Sequence, residues 1–193
     1  FAGAKTQEIE AWGQTFIYYL KKITLTYKKQ ILLKSPQHTA RVPLLLKFFP
    51  DAKFVHIHRH PYDLFQSTRK LYKTAIYTSS MQRVPAEETW PERIVSIYNE
   101  MYDSFFEHKG DFAKGTFIDI GFEEFEEKPL QSIRQIYETL GLDNFETFLP
   151  ILKEKTEQDV HYQKNKYKEL AAHEKELIYN RWKRSFDYWD YSR

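Results

Sequence analysis

Helical and strand-like spacings of apolar residues alternate along this chain. In QEIEAWGQTFIYYLKK, residues 7–22, Ile9, Trp12, Phe16, Tyr19 and Leu20 recur three to four positions apart, the period of one helix face. QILLKSP then reads as a short buried strand that Pro36 ends. HTARVPLLLKFFP suits a helix closed before Pro50, with Pro43 kinking it or lying in its first turn. AKFVHIHR is rich in β-formers and predicts a second strand, and PYDLFQSTRKLYKTAIY predicts a helix with Pro61 near its first position. RVPAEETWP reads as a loop, PERIVSIYNEMYDSFFEHKG as a helix ending at Gly110, and GTFIDIGF as a third strand. KPLQSIRQIYETLGL predicts a helix with Gly141 as its stop, and NFETFLPILKEK another. Residues 157–172 are polar and aperiodic, a loop, before a last helix over HEKELIYNRWKRSFDYW.

Strands alternating with helices predict an α/β fold in which a parallel sheet is flanked by helices. Ligands of such folds bind at the carboxyl ends of the strands. Lys34 and Ser35 end the first expected strand and Arg59 the second, with a helix starting just after each. If those strands are neighbours, two cations and two helix N-termini face one crevice, an anion site assembled from separate pieces of sequence.

Composition narrows the function without choosing it. A chain of 193 residues forms one domain with a proper core. Its charged residues, 29% of the total, nearly balance at a net +2, which argues against disorder and against a protein that coats nucleic acid. The local run KKITLTYKKQ, with Tyr27 among lysines, reads as a solvated face, so no nucleic acid partner is expected. The absence of cysteine excludes a disulfide scaffold, a thiol nucleophile and a zinc–thiolate site, and fits a reducing, cytoplasmic location. No apolar run approaches the roughly 20 residues of a membrane span.

In HIHRHPYDLFQS, residues 56–67, strand alternation puts His56, His58 and His60 on one face and Val55, Ile57 and Arg59 on the other. Three alternating histidines raise the question of a metal. No further ligand pattern completes a site, and Arg59 would repel a cation, so no metal is expected and the histidines read as sheet-facing groups bonded to neighbours. Phosphate suits the segment better. Arg59 ends a strand, Pro61 opens a helix, and Ser67 lies eight residues on, so a planar guanidinium fork and a hydroxyl are both available to phosphate oxygens.

That segment resembles the 3′-phosphate-binding strand–loop–helix of the sulfotransferases that use 3′-phosphoadenosine 5′-phosphosulfate (PAPS), in which Arg and Ser eight apart hold the ribose 3′-phosphate. LLKSPQHTARVPLLLKFFPDAKFVHIHRHP is similar to a bacterial-type branch with a Lys-Ser-Pro-x-His segment. FIDIGFEEFEEKPLQSIRQIYETLGL resembles the family's later strand, acidic turn and helix, with Phe122 where Tyr is frequent. The resemblance covers about residues 30–190.

It implies a P-loop-NTPase-like parallel sheet and transfer of a sulfuryl group from PAPS to a hydroxyl or amine, leaving adenosine 3′,5′-bisphosphate (PAP). Arg59 and Ser67 would grip the 3′-phosphate, Lys34 would stabilise the leaving bridging oxygen, and His38 would be the general base. Lys164 and Asn165 would stand in for a C-terminal phosphate loop, and Arg41 would also face the crevice. Small-molecule, carbohydrate, lipid and peptide acceptors all stay open. The family's N-terminal strand and phosphate loop have no counterpart here, since only Gly3 and Gly13 precede the Lys-Ser-Pro segment. Residues 1–193 are therefore expected to be one sulfotransferase-like domain, the C-terminal part of a longer one, inactive without an upstream fragment. The alternative is a noncatalytic module of the same fold that binds a nucleotide or a partner.

Overall fold

The computed structural model describes residues 3–158 and 167–193. Helix α1 spans Thr6–Tyr27, its first turn closed by the Lys5 N–H donating to Glu8 Oε2 at 2.7 Å. Its amino-terminal half packs on α2, Val42–Phe48, so closely that a Cβ on Gly13 would sit 2.1 Å from the Phe48 ring. A 3-10 helix, Pro36–Arg41, precedes α2, and Pro43 lies in the first turn of α2 rather than kinking it.

Strand β1, Phe54–His58, pairs in parallel with β2, Phe117–Gly121, with Phe54 opposite Phe117 and His58 opposite Gly121. Between them run α3, Pro61–Leu71, a π-helical turn at Tyr72–Ile76, the single turn α4, Tyr77–Ser79, and α5, Trp90–His108. The acidic stretch after β2 forms a short helix α6, Phe122–Glu127. Then come α7, Pro129–Leu140, α8, Phe145–Gln158, and α9, Ala172–Tyr188. Gly141 ends α7 in the left-handed region at φ +56°, the conformation a glycine stop supplies.

The sheet carries helices on both faces. Ile118 and Ile120 pack on Ile136 and Leu140 of α7. On the other face, His56 lies against Tyr102 and Phe105 of α5 and Trp189 beyond α9. The main core fills the space among α3, α5 and α9 with Phe65, Val95, Ile178, Trp182 and Phe186. Trp182 stacks on Tyr98 at 3.9 Å between centroids and donates its indole N–H to the Val95 carbonyl. Arg69 on α3 meets Glu174 on α9 at 2.5 Å, and Glu174 also accepts from the Ala171 N–H at the start of its own helix.

One expected element is absent. Residues 30–35 form no strand, and the sheet has two strands among the described residues, not three. A strand needs a neighbour to pair its backbone groups, and here neither β1 nor β2 provides one. The apolar run that suggested a buried strand is instead open to solvent, Leu32 at 91% exposure. The β1 half of the Ile118–Ile120 face is also open, through Val55 and Ile57.

Candidate phosphate-binding site at the strand ends

Arg59 leaves β1 where the chain turns into α3. Pro61 stands at the first position of that helix, where its fixed φ and missing N–H cost nothing. The guanidinium Cζ lies 4.6 Å over the Phe122 ring, and Nη2 is 3.9 Å from Asp63 Oδ2. Its Nε is buried and bonded to nothing. A buried donor without an acceptor costs about 1–3 kcal/mol, so this arginine is short of one acceptor. Ser67, half-buried in the second turn of α3, follows on the same helix. Arg59, the α3 N-terminus and Ser67 are thus positioned by one strand-to-helix turn.

That turn is tied down from behind. The His60 N–H donates to Glu123 Oε1 at 2.9 Å, and Glu123 Oε2 accepts from the Tyr191 hydroxyl at 3.0 Å. The Tyr191 oxygen lies 2.7 Å from His58 Nδ1; since its proton goes to Glu123, it accepts from the imidazole. His60 Nδ1 accepts from the Tyr62 N–H, which leaves Nε2 as donor to the Ser192 carbonyl at 3.1 Å. Below them His56 Nδ1 is 2.7 Å from Asp119 Oδ1, His56 Nε2 is 3.1 Å from the Tyr102 hydroxyl, and the Trp189 indole donates to Asp119 Oδ2 at 2.8 Å. The three histidines are each engaged in a different contact, and no group of three or more His, Asp or Glu converges on a metal position among the described residues.

The charges in this network are fixed by its bonds. Burial alone would push Asp119 up, but hydrogen bonds from His56 and Trp189 and the imidazoles nearby hold it below the usual carboxylate range. Glu123 is likewise held down against burial by the His60 N–H and Tyr191. Burial, then the Glu123 charge, pushes the Tyr191 phenol far up, so it stays a neutral donor.

Lys34 and His38 belong to a second, looser group. Lys34 is exposed on the unpaired segment, with Ser35 Oγ donating to Gln37 Oε1 at 2.5 Å just beyond it. His38 sits on the 3-10 helix, which the Ser104 hydroxyl anchors by donating to the Ala40 carbonyl at 3.1 Å. Its Nδ1 is buried without a partner, and burial, then the Arg41 charge, lowers its pKa. Arg41 lines an open groove of about 450 Å³ with Ile9, Gln37, Ala40, Leu44 and Ser104. No hydrogen bond or ion pair joins Lys34 or His38 to Arg59 or Ser67 among the described residues. Lys164 and Asn165 lie outside the described residues. Trp90 and Tyr98 are core.

Sequence reasoning missed the residues behind Arg59. Glu123 and Tyr191 carried no spacing signal relative to it, because 63 and 132 positions separate them from His60 and Arg59 only along the chain. The one usable hint was the polar-aromatic ending DYWDYSR, an odd composition for a free tail.

Comparison with known proteins bears on the family and the fold. Residues 4–147 match the model of a family described as the sulfotransferase family. Over 187 residues the chain is 29% identical to an omega-hydroxy-beta-dihydromenaquinone-9 sulfotransferase of Mycobacterium bovis, and equally to that of Mycobacterium tuberculosis. The alignment covers 97% of this chain and 48% of each relative, so the chain spans about half the length of the curated relatives it matches. The fold superposes on the crystal structure of a sulfotransferase from Mycobacterium avium with a TM-score of 0.73 and 18% identity, covering 90% of this chain and 45% of that one.

Proposed function

The chain belongs to the sulfotransferase family, and on that premise we propose that it carries the 3′-phosphate grip and the proton-accepting group of an enzyme that moves a sulfuryl group from PAPS to an acceptor hydroxyl or amine. The observation that carries the reading is Arg59: a buried guanidinium nitrogen with no acceptor, at the carboxyl end of a strand and beside a helix N-terminus. Phosphate oxygens complete that nitrogen, and Ser67 adds one donor. Phe122 holds the guanidinium plane from one side, which fixes the direction of its fork.

PAPS supplies an activated S–O bond to a phosphate oxygen, and transfer replaces it with a bond from sulfur to the acceptor oxygen or nitrogen. The proton lost by the acceptor needs a base. His38 serves, because burial and Arg41 keep its imidazole unprotonated at neutral pH. Lys34, exposed and cationic, neutralises charge on the departing phosphate oxygen. The groove along Arg41, Ile9 and Leu44 is lined by Gln37, Ala40 and Arg41 of the 3-10 helix that carries His38 and is the acceptor's entrance; its mixed lining suits a hydroxylated lipid or another amphiphilic alcohol, in keeping with the quinone-derived lipid in the relatives' name. No metal takes part in this scheme.

Calorimetric titration with PAP, alongside Arg59→Ala, tests the reading. Binding is expected, weakened about tenfold to a hundredfold in the variant, since hydrogen bonds to a charged group contribute about 1.5–3 kcal/mol. Equal affinity in both proteins would remove Arg59 from the site. Binding of PAP with no transfer to any alcohol would favour the noncatalytic alternative.

A further inference from the structure

Charge is segregated along this chain. Residues 11–50 hold seven Lys and Arg and no Asp or Glu, so all 27 carboxylates lie elsewhere, facing the remaining 22 cations. The net +2 thus conceals a basic end on an acidic body. The basic end coincides with the part of the molecule that is least covered. From residue 21 to residue 34 every side chain is exposed except those of Ile23 and Ile31, which are half-buried. Tyr18, Lys22 and Leu25 follow one another at helical spacing on one stripe of α1, Leu25 at 77% exposure, and Lys28 and Lys29 lie exposed just past the helix end. Tyr27 and Leu32 extend the apolar surface past the helix end, where Lys28 adopts the left-handed conformation and turns the chain.

We propose that this end of the molecule, the carboxyl-terminal half of α1 with the segment that follows, is a docking surface for an anionic lipid bilayer. Three features select that occupant. Lys21 and Lys22 lie one turn before Leu25 on the helix rather than ringing it; in a protein groove they would be stripped of water, whereas at a bilayer their stems lie along the acyl boundary and their ammonium groups reach the headgroups. Lys22 already lies 4.5 Å over the Tyr18 ring, the paired cation and phenol that suit the headgroup layer. A second copy of the chain would bring like charge against like charge, and nucleic acid would leave Leu25 and Leu32 without a base to stack on. The acidic body beyond this end gives the molecule an electric dipole that presents the basic end to a negative surface. Among the described residues no helix is long and apolar enough to cross a membrane, so the contact is peripheral. The surface stands on charge and exposure alone, independently of whether Arg59 binds PAP.

Flotation with vesicles tests it directly, using phosphatidylcholine alone and phosphatidylcholine containing about one third phosphatidylglycerol. Expected is binding to the anionic vesicles, released by added salt, and absent from the neutral ones. Reversing Lys21, Lys22, Lys28 and Lys29 to Glu together should abolish it, and Leu25→Ser should weaken it about threefold or more. The paired reversals Lys153→Glu and Lys155→Glu on α8 should leave it intact. Circular dichroism identifies any unfolded variant. No binding to anionic vesicles at low salt, or binding that survives the fourfold reversal, overturns the proposal. So does dimerisation, or binding to single-stranded DNA, that the same reversal abolishes while vesicle binding is absent.

Discussion

The turn after β1 and the segment before the 3-10 helix each carry a cation of the proposed site, yet they are held in opposite ways. Arg59 sits on a turn whose backbone and neighbours are bonded to Glu123, Tyr191 and Ser192 and whose guanidinium rests on Phe122. Lys34 sits on exposed chain with no ladder and no ion pair among the described residues. The difference separates two tasks. A group that recognises a fixed ligand gains from being ordered beforehand, because the entropy of ordering is spent in folding and not in binding. In the proposed scheme the phosphate grip is built that way and the lysine is not.

The largest effect that would sharpen this contrast is on stability. Trp182→Ala removes a side chain that fills the core, stacks on Tyr98 and bonds to Val95, and should cost about 3–5 kcal/mol. Leu32→Ala, an equally apolar truncation on the open segment, should stay within about 0.5 kcal/mol. Urea unfolding of the two variants measures both. A Leu32 cost approaching that of Trp182 would show that the segment is covered in solution and would break the comparison.

Next in size is the tie behind Arg59. Glu123→Ala leaves the His60 N–H and the Tyr191 hydroxyl without their acceptor, and an unmet donor costs about 1–3 kcal/mol. PAP affinity should fall with it, although Glu123 has no contact of its own with the ligand in the proposed scheme. Lys34→Ala, by contrast, should leave stability within about 0.5 kcal/mol, because the side chain is exposed with no ion pair among the described residues, and should lower PAP affinity less than Glu123→Ala, because an exposed lysine adds only a screened charge to the 5′-phosphate. If Lys34 instead mattered more than Glu123 for PAP, the ordered turn would not be the grip.

The same contrast decides what the sequence could reveal. Helix starts and stops were legible where local chemistry sets them: Pro61 and Pro43 open helices, and Gly141 closes one at a positive φ. Both strands of the sheet were legible as β-rich runs, and Arg59 and Ser67 as a spaced pair on one continuous stretch. The failure lay at residues 30–35, whose apolar content matches a buried strand while burial depends on a neighbour that local pattern does not encode. Nor could alternation show which face of β1 is covered: its histidine face is buried and its Val55–Ile57 face is open, the reverse of what side-chain polarity suggests. Long-range ties such as Glu123 to His60 are invisible for the same reason.

The smallest effect is pH-dependent and tests whether the histidine network belongs to the ordered region. Burial lowers the His58 pKa, and the nearby His56 lowers it further, while Asp119, Glu123 and Glu124 pull the other way without prevailing. The unfolded chain therefore takes up a proton near pH 6.5 before the folded one does. Above that range both forms are neutral and His58 contributes nothing to the slope; as pH falls through it the folded state loses stability, until the folded imidazole is protonated as well. The expected outcome is a melting temperature that drops between pH 7.5 and pH 5.5, with a smaller drop in His58→Gln. His38 is shifted in the same direction by burial and Arg41, so His38→Gln provides the matching measurement in the open region. Because His58 is the more deeply covered of the two and bonds to Tyr191, its substitution should flatten the profile more. A larger change from His38 would place the tighter environment on the 3-10 helix, and the ordered half of the site would then be the base rather than the phosphate grip.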